Sequence, residues 1–169
     1  MRPLPSDYSS FSETYVSLVE TGNIKEILAA SLPAMESFLS LIPEEKANYA
    51  YAEGKWTIKE LLQHTIDTEK VFAYRAMCIA RGEQQPLPGF EQNDYAANVD
   101  VTNRSLAGLK EEMLLARKLS VILFENLREA DLNKRGIASN HPVTVLSYGY
   151  ILVGHWRHHQ HILQTKYGI

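Results

Sequence analysis

Two histidines, His155 and His159, stand four residues apart in the carboxy-terminal stretch GHWRHHQHIL. On a helix that step stacks them on one face. They continue a stripe traced through Tyr148, Ile151 and Leu152 and on to Ile162, so two imidazoles occupy positions that read as core. A buried imidazole needs both ring nitrogens accounted for, by hydrogen bonds or by a metal. A lone core histidine is more often a hydrogen-bonded structural residue than a ligand. A pair at this step can bind one ion together, and a third candidate, His64, follows Thr57 by two helical turns. Three neutral imidazoles leave divalent zinc or nickel its full charge and at least one open position, so water or a thiol held there is acidified and made nucleophilic near neutral pH. Two chemistries follow: hydrolysis of an ester, amide or related electrophile, and attack of a thiolate on an electrophilic small molecule. The absence of a Glu-x-x-His pair argues against a di-iron carboxylate centre.

Four helical stretches must position these residues. The first spans about Asn23 to Ile42, with Ile24, Leu28, Met35, Phe38 and Ile42 on a stripe interrupted by Ser31, and Pro33 is expected to kink it or move its start. In the second, Thr57 and Glu60 form a capping box and the apolar pattern continues to Ile79 before Gly82. Leu106, Leu109, Met113, Ala116, Leu123 and Leu127 make the third stripe, broken by Ser120. The fourth begins near Thr144, after Pro142, and runs to about Lys166, before Gly168. No sustained period-two alternation is present, so a sheet is not expected and an all-α four-helix bundle is the economical fold. Residues 1–22 read as an amino-terminal extension packing on a bundle formed by residues 23–169.

The ligand set constrains the topology. His64 lies about 10 Å along the second helix, and the midpoint of His155 and His159 lies about 13 Å from the end of the fourth and about 19 Å from its start. The levels match if those helices are antiparallel and miss by about 9 Å if they are parallel. Simple up-down-up-down order makes them parallel, so a crossover is required. The segment from Gly82 to about Val101 contains Pro86, Pro88 and Gly89 and can reach about 66 Å when extended, enough to return the chain for a third helix parallel to the second. The long stretch between Arg128 and His141 leaves other arrangements open.

Composition narrows the function. The 169 residues are 45% hydrophobic and 22% charged, which suits one globular domain, and a chain of this size needs no structural metal merely to fold. A net charge of −3 with interspersed signs lacks the basic field that nucleic-acid binding requires. One cysteine, Cys78, excludes an internal disulfide framework, and neither a signal core nor a membrane-length apolar run is visible, so a cytoplasmic setting is expected.

The stretches GKWTIKELLQHTIDTEKVFAYR and GHWRHHQHIL closely resemble the DinB-like superfamily, which includes YfiT-like and thiol-dependent maleylpyruvate isomerase-like proteins. The resemblance covers the chain from about Ile24 onward. It implies a four-helix bundle of up-down-down-up order, with the long crossover between helices 2 and 3, and a divalent metal, typically zinc or nickel, held by His64, His155 and His159. It also implies a low-molecular-weight thiol as a candidate cofactor, a small-molecule substrate and a homodimer. Where many relatives carry an acidic residue after the first histidine of the terminal motif, this chain has Trp156, which leaves the ligands intact and counts against an acid–base role there. The same residue argues against a zincin peptidase, whose HExxH motif needs Glu at that position. A metal-dependent transferase or hydrolase is the leading expectation, and a non-catalytic metal-binding stress-response bundle is the alternative.

The remaining polar residues have plainer readings beside the functional ones. Asp67 lies on His64's side of the helix and is a weak candidate to orient an imidazole or act as base, yet Asp67 and Glu69 are expected to be solvated. His158 and His161 point away from the pair's midline and are read as flanking or surface groups, and His141 as a loop residue. Arg75 and Arg81 could contact an anionic substrate, although a salt bridge or a charge at the helix end is the commoner explanation. Cys78 reads as a small packed hydrophobe. Leu87, Phe90 and Tyr95 either pin the 82–101 segment to the bundle or fold over the metal mouth to shape a pocket.

Overall fold

The computed structural model describes residues 1–169. In chain order the elements are α1 (Glu13–Val16), α2 (Ile24–Ser40), α3 (Ile58–Ala80), α4 (Gln92–Asn98), α5 (Leu106–Glu125), α6 (Glu129–Leu132), a hairpin of β1 (Arg135–Ala138) and β2 (His141–Thr144), and α7 (Val145–Tyr167). The four long helices α2, α3, α5 and α7 form the bundle, and their ends follow local chemistry. The Thr57 hydroxyl accepts the Glu60 amide while the Glu60 carboxylate accepts the Thr57 amide at 2.7 Å, closing the expected capping box. Thr144 and Ser147 form a second box at the start of α7. Gly168 ends α7 at φ 65°, a left-handed conformation that costs glycine nothing. Helix α2 starts at Ile24 and continues through Pro33, so the proline does not move its start.

Long-range contacts fix the helix directions. At the foot of α3 the Tyr167 hydroxyl donates to the Trp56 carbonyl at 2.6 Å, and at its head Lys134, ahead of α7, donates to the Ala80 carbonyl, so α3 and α7 are antiparallel. Lys59 donates to the carbonyls of Thr102 and Arg104, and Lys70 pairs with Glu112, so α3 and α5 run the same way. Lys25 reaches the Leu127 carbonyl and Lys110 the Ile42 carbonyl, which sets α2 antiparallel to α5. The bundle is therefore up-down-down-up, and the chain crosses over between α3 and α5.

The hairpin departs from the expectation of no sheet. Ser139 and Asn140 both adopt positive φ, 51° and 64°, as a tight primed turn requires, and four residues pair on each side. Strands this short, with Pro142 in one, leave too little alternation to be legible. Leu87 in the crossover bonds through its backbone to Ile137 and Ser139, which ties this segment to the hairpin.

Packing divides the interior into two apolar clusters. One gathers Ile24, Leu28, Ala76, Ile79, Val121, Phe124 and Leu152, and the other Met35, Phe38, Leu62, Ile66, Leu109, Met113 and Trp156. Between them each long helix contributes buried polar groups: Ser31, His64 with Glu69, Arg117 with Ser120, and His155. The amino-terminal segment packs on α7 through α1, while Asp7 pairs with Arg135 of the hairpin. A Cβ at Gly154 would fall 2.0 Å from the Tyr15 carbonyl oxygen, so only glycine permits this approach. Tyr15, Val16 and Val19 are buried in the seam.

Candidate metal centre

Helix α3 carries His64 and α7 carries His155 and His159, all three buried. His155 Nε2 lies 3.2 Å from His64 Nε2 and 3.1 Å from His159 Nε2, and the ligating atoms of the trio all lie within 4.8 Å of one another. Tetrahedral bonds of about 2.05 Å place neighbouring nitrogens about 3.3 Å apart, so the observed separations suit one small cation. Burial, with the charge of His158, lowers His64 to about 4. Burial also drives His155 and His159 well below the usual imidazole range, reinforced by the repulsion that protons on adjacent rings would meet. At neutral pH the site thus presents the uncharged rings that a metal needs. The buried Nδ1 of His159 has no protein partner.

Aromatic rings enclose the trio. Trp56 packs on His64 with ring centroids 4.8 Å apart, and Tyr15 meets His155 edge-on at 5.1 Å. His158 is half-buried against Tyr15 and His159, and His161 is exposed, so neither joins the cluster.

A cavity of about 430 Å³ opens beside His155. Tyr15, Thr68, Phe72, Phe90, Tyr148 and Ile151 are among its walls. Thr68 Oγ1 is buried without a hydrogen-bond partner. The Tyr148 phenol is pushed up to about 12 by burial, against the opposing pull of Arg75, and so keeps its proton. Phe90 lines the cavity, edge-on to Phe72 and Tyr95, while Leu87 anchors to the hairpin. The crossover therefore both pins itself to the bundle and walls the pocket.

The structure separates the two carboxylates expected to be solvated. Asp67 is half-buried and accepts from Gln63 Nε2 at 2.9 Å, with no hydrogen bond to an imidazole. Glu69 is buried, which corrects the solvated reading: Arg117 Nη2 donates to it at 2.8 Å and Ser120 Oγ at 2.6 Å. Arg117 also donates to Ser31 Oγ and the Leu152 carbonyl, so the network joins all four long helices. Sequence reasoning missed it, although Ser31 and Ser120, the breaks in two apolar stripes, both belong to it. Desolvation raises Glu69 while Arg117 and Ser120 pull it down. His141 stands exposed at the cavity rim, in β2 rather than in a loop. Arg81 is exposed at the end of α3 and Cys78 packs at the edge of the core, as their plainer readings require.

Comparison with known proteins agrees with this architecture. A protein of Geobacillus kaustophilus named "Putative metal-dependent hydrolase" is 26% identical over 150 residues, covering 83% of this chain and 82% of its own. A protein of the same description from Geobacillus thermodenitrificans is 26% identical over 147 residues, covering 81% of this chain and 80% of its own. The solved structure of YfiT from Bacillus subtilis, described as "a probable metal-dependent hydrolase with an unusual four-helix bundle topology", superposes with a TM-score of 0.69 at 14% identity. It covers 99% of this chain and 94% of that one. The model of the DinB superfamily matches residues 27–163, and the chain belongs to that superfamily.

Proposed function

We propose that this protein is a metal-dependent hydrolase of small molecules, with His64, His155 and His159 holding a divalent zinc or nickel ion. The observation that carries the reading is the convergence of three buried, neutral imidazoles, one of which, His155, lines a cavity of about 430 Å³, a volume that suits a small substrate. When bound, such an ion supplies Lewis acidity and brings the ionisation of water, or of a thiol, towards neutral pH. The protein's own groups then position and exclude. Phe72 and Ile151 keep bulk water from the reacting end, and Thr68 Oγ1 offers a hydrogen bond to a substrate oxygen. Tyr148 stays protonated and remains a hydrogen-bond donor across the working range. Asp67 and Glu69 are engaged elsewhere, so no carboxylate of this chain is assigned as general base.

The test combines elemental analysis of untagged protein with turnover of an ester and amide panel, run with and without added thiol and with and without chelator. The expected result is about one ion per chain, lost in His64→Ala and His155→Ala, with chelator-sensitive hydrolysis. Turnover that requires thiol would reassign the enzyme as a thiol transferase. Stoichiometric metal with no turnover in any arm would favour the non-catalytic bundle, and absence of stoichiometric metal would leave only a structural role.

A further inference from the structure

Arg75 is 5% exposed, lines the same cavity, and takes part in no ion pair. Its two hydrogen bonds both leave from Nη2, to the Pro88 carbonyl at 2.6 Å and to Ser139 Oγ at 3.1 Å. A guanidinium carries five N–H donors, so at least two remain even with the Tyr148 phenol beside the group. The rings of Phe72 and Phe90 flank the group at 5.9 and 5.6 Å, which holds it in place without neutralising it. Glu91, at the exposed rim, accepts from the Asn93 amide and is not bonded to Arg75. A buried guanidinium without a counter-charge is costly unless something supplies one.

We infer that Arg75 is the anion subsite of this pocket and that the substrate carries a carboxylate, separated by an apolar body from the group that reacts at the three histidines. The inference rests on the hydrolase reading for the reacting end, and on Arg75 alone for the anionic end. Tyr148, at the Arg75 end, and His155 are two turns apart on α7, so the two ends are separated by about 10 Å. Phe72 and Ile151 line the space between them. Arg75 is the one Lys or Arg side chain lining the cavity, and a single guanidinium matches a singly charged carboxylate better than a phosphate, which carries more charge to neutralise. The plainer readings of Arg75, a salt bridge or a helix-end charge, do not describe it: no acid pairs with it, and it sits one and a half turns before the end of α3.

Calorimetric binding of phenylbutyrate and of its uncharged isostere phenylbutyramide tests this, with the full-length protein in zinc-loaded and chelator-treated forms. The expected result is acid binding at least about tenfold tighter than amide binding in both forms, with that preference lost in Arg75→Gln and partly kept in Arg75→Lys. Equal affinity for acid and amide in the unmutated protein would overturn the proposal without recourse to any variant. So would a preference that vanishes with the metal and survives Arg75→Gln, since the carboxylate would then sit on the ion. An Arg75-dependent preference without ester or amide turnover would uphold the subsite while removing the hydrolase reading.

Discussion

Replacing Arg117 with Met tests the physics of the buried network. The change leaves the Glu69 carboxylate in a site where its side chain is 4% exposed and Ser120 is its one remaining donor. Removing one partner of such a pair costs about 3–5 kcal/mol, because the charge left behind has neither water nor a counter-ion. For a domain of this size each kcal/mol moves Tm by about 2–4 °C, so Arg117→Met should melt about 10 °C lower, followed by circular dichroism. Arg117→Met combined with Glu69→Met removes both charges and fills the space with apolar side chains. It should recover at least about 2 kcal/mol relative to the sum of the single changes. Some loss persists, since in the double variant Ser31, Ser120 and the Leu152 carbonyl all lose partners. A double variant as destabilised as the two singles added together would show that the groups act independently and that the pair is not what holds the centre of the bundle.

Gly154→Ala places a methyl where the Tyr15 carbonyl stands, so the amino-terminal segment must lift. A loss of about 1–3 kcal/mol and new proteolytic cleavage near Phe11 or Tyr15 are expected, and unchanged stability and protection would refute the close approach. Acid should destabilise the metal-free protein. The folded His64 pKa of about 4 lies below the unfolded value of about 6.5, so the unfolded chain takes up the proton first as pH falls. Stability from this ring is complete above about pH 6.5 and declines towards pH 4, by about 1.4 kcal/mol per unit. Tm measured between pH 7.5 and 5 should therefore drop less in His64→Ala than in the unmutated chain, and parallel profiles would contradict the assignment. Zinc should raise Tm in proportion to the logarithm of its free concentration, an effect absent from His155→Ala.

Much of this was legible in the sequence because it rests on helical period. The Thr57 and Glu60 box, the stops at Gly82 and Gly168, and the level of His64 against His155 and His159 are local rules and axial arithmetic. Asking those levels to match required α3 and α7 to be antiparallel and hence a crossover, and the family resemblance supplied the up-down-down-up order. What escaped reading depends on partners distant in sequence. Glu69 looks like any helical acid until Arg117, 48 residues later, is known to face it. Arg75 has the same character: its burial comes from Phe90 and Ser139, on segments without helical period. The Ser139–Asn140 turn lacked a glycine to announce it.

Four apolar stripes alone would tolerate sliding one helix past another by a turn, about 5.4 Å, with leucines merely trading neighbours. The belt of Ser31, Glu69, Arg117 and Ser120, joined to α7 through the Leu152 carbonyl, resists that, because a slip of α3 against α5 strands a charge among hydrocarbons. Axial alignment is thus set by a lock that does not involve the imidazoles. The three rings meet because their helices are already indexed, and the chain can present a ready-made cradle before any cation arrives.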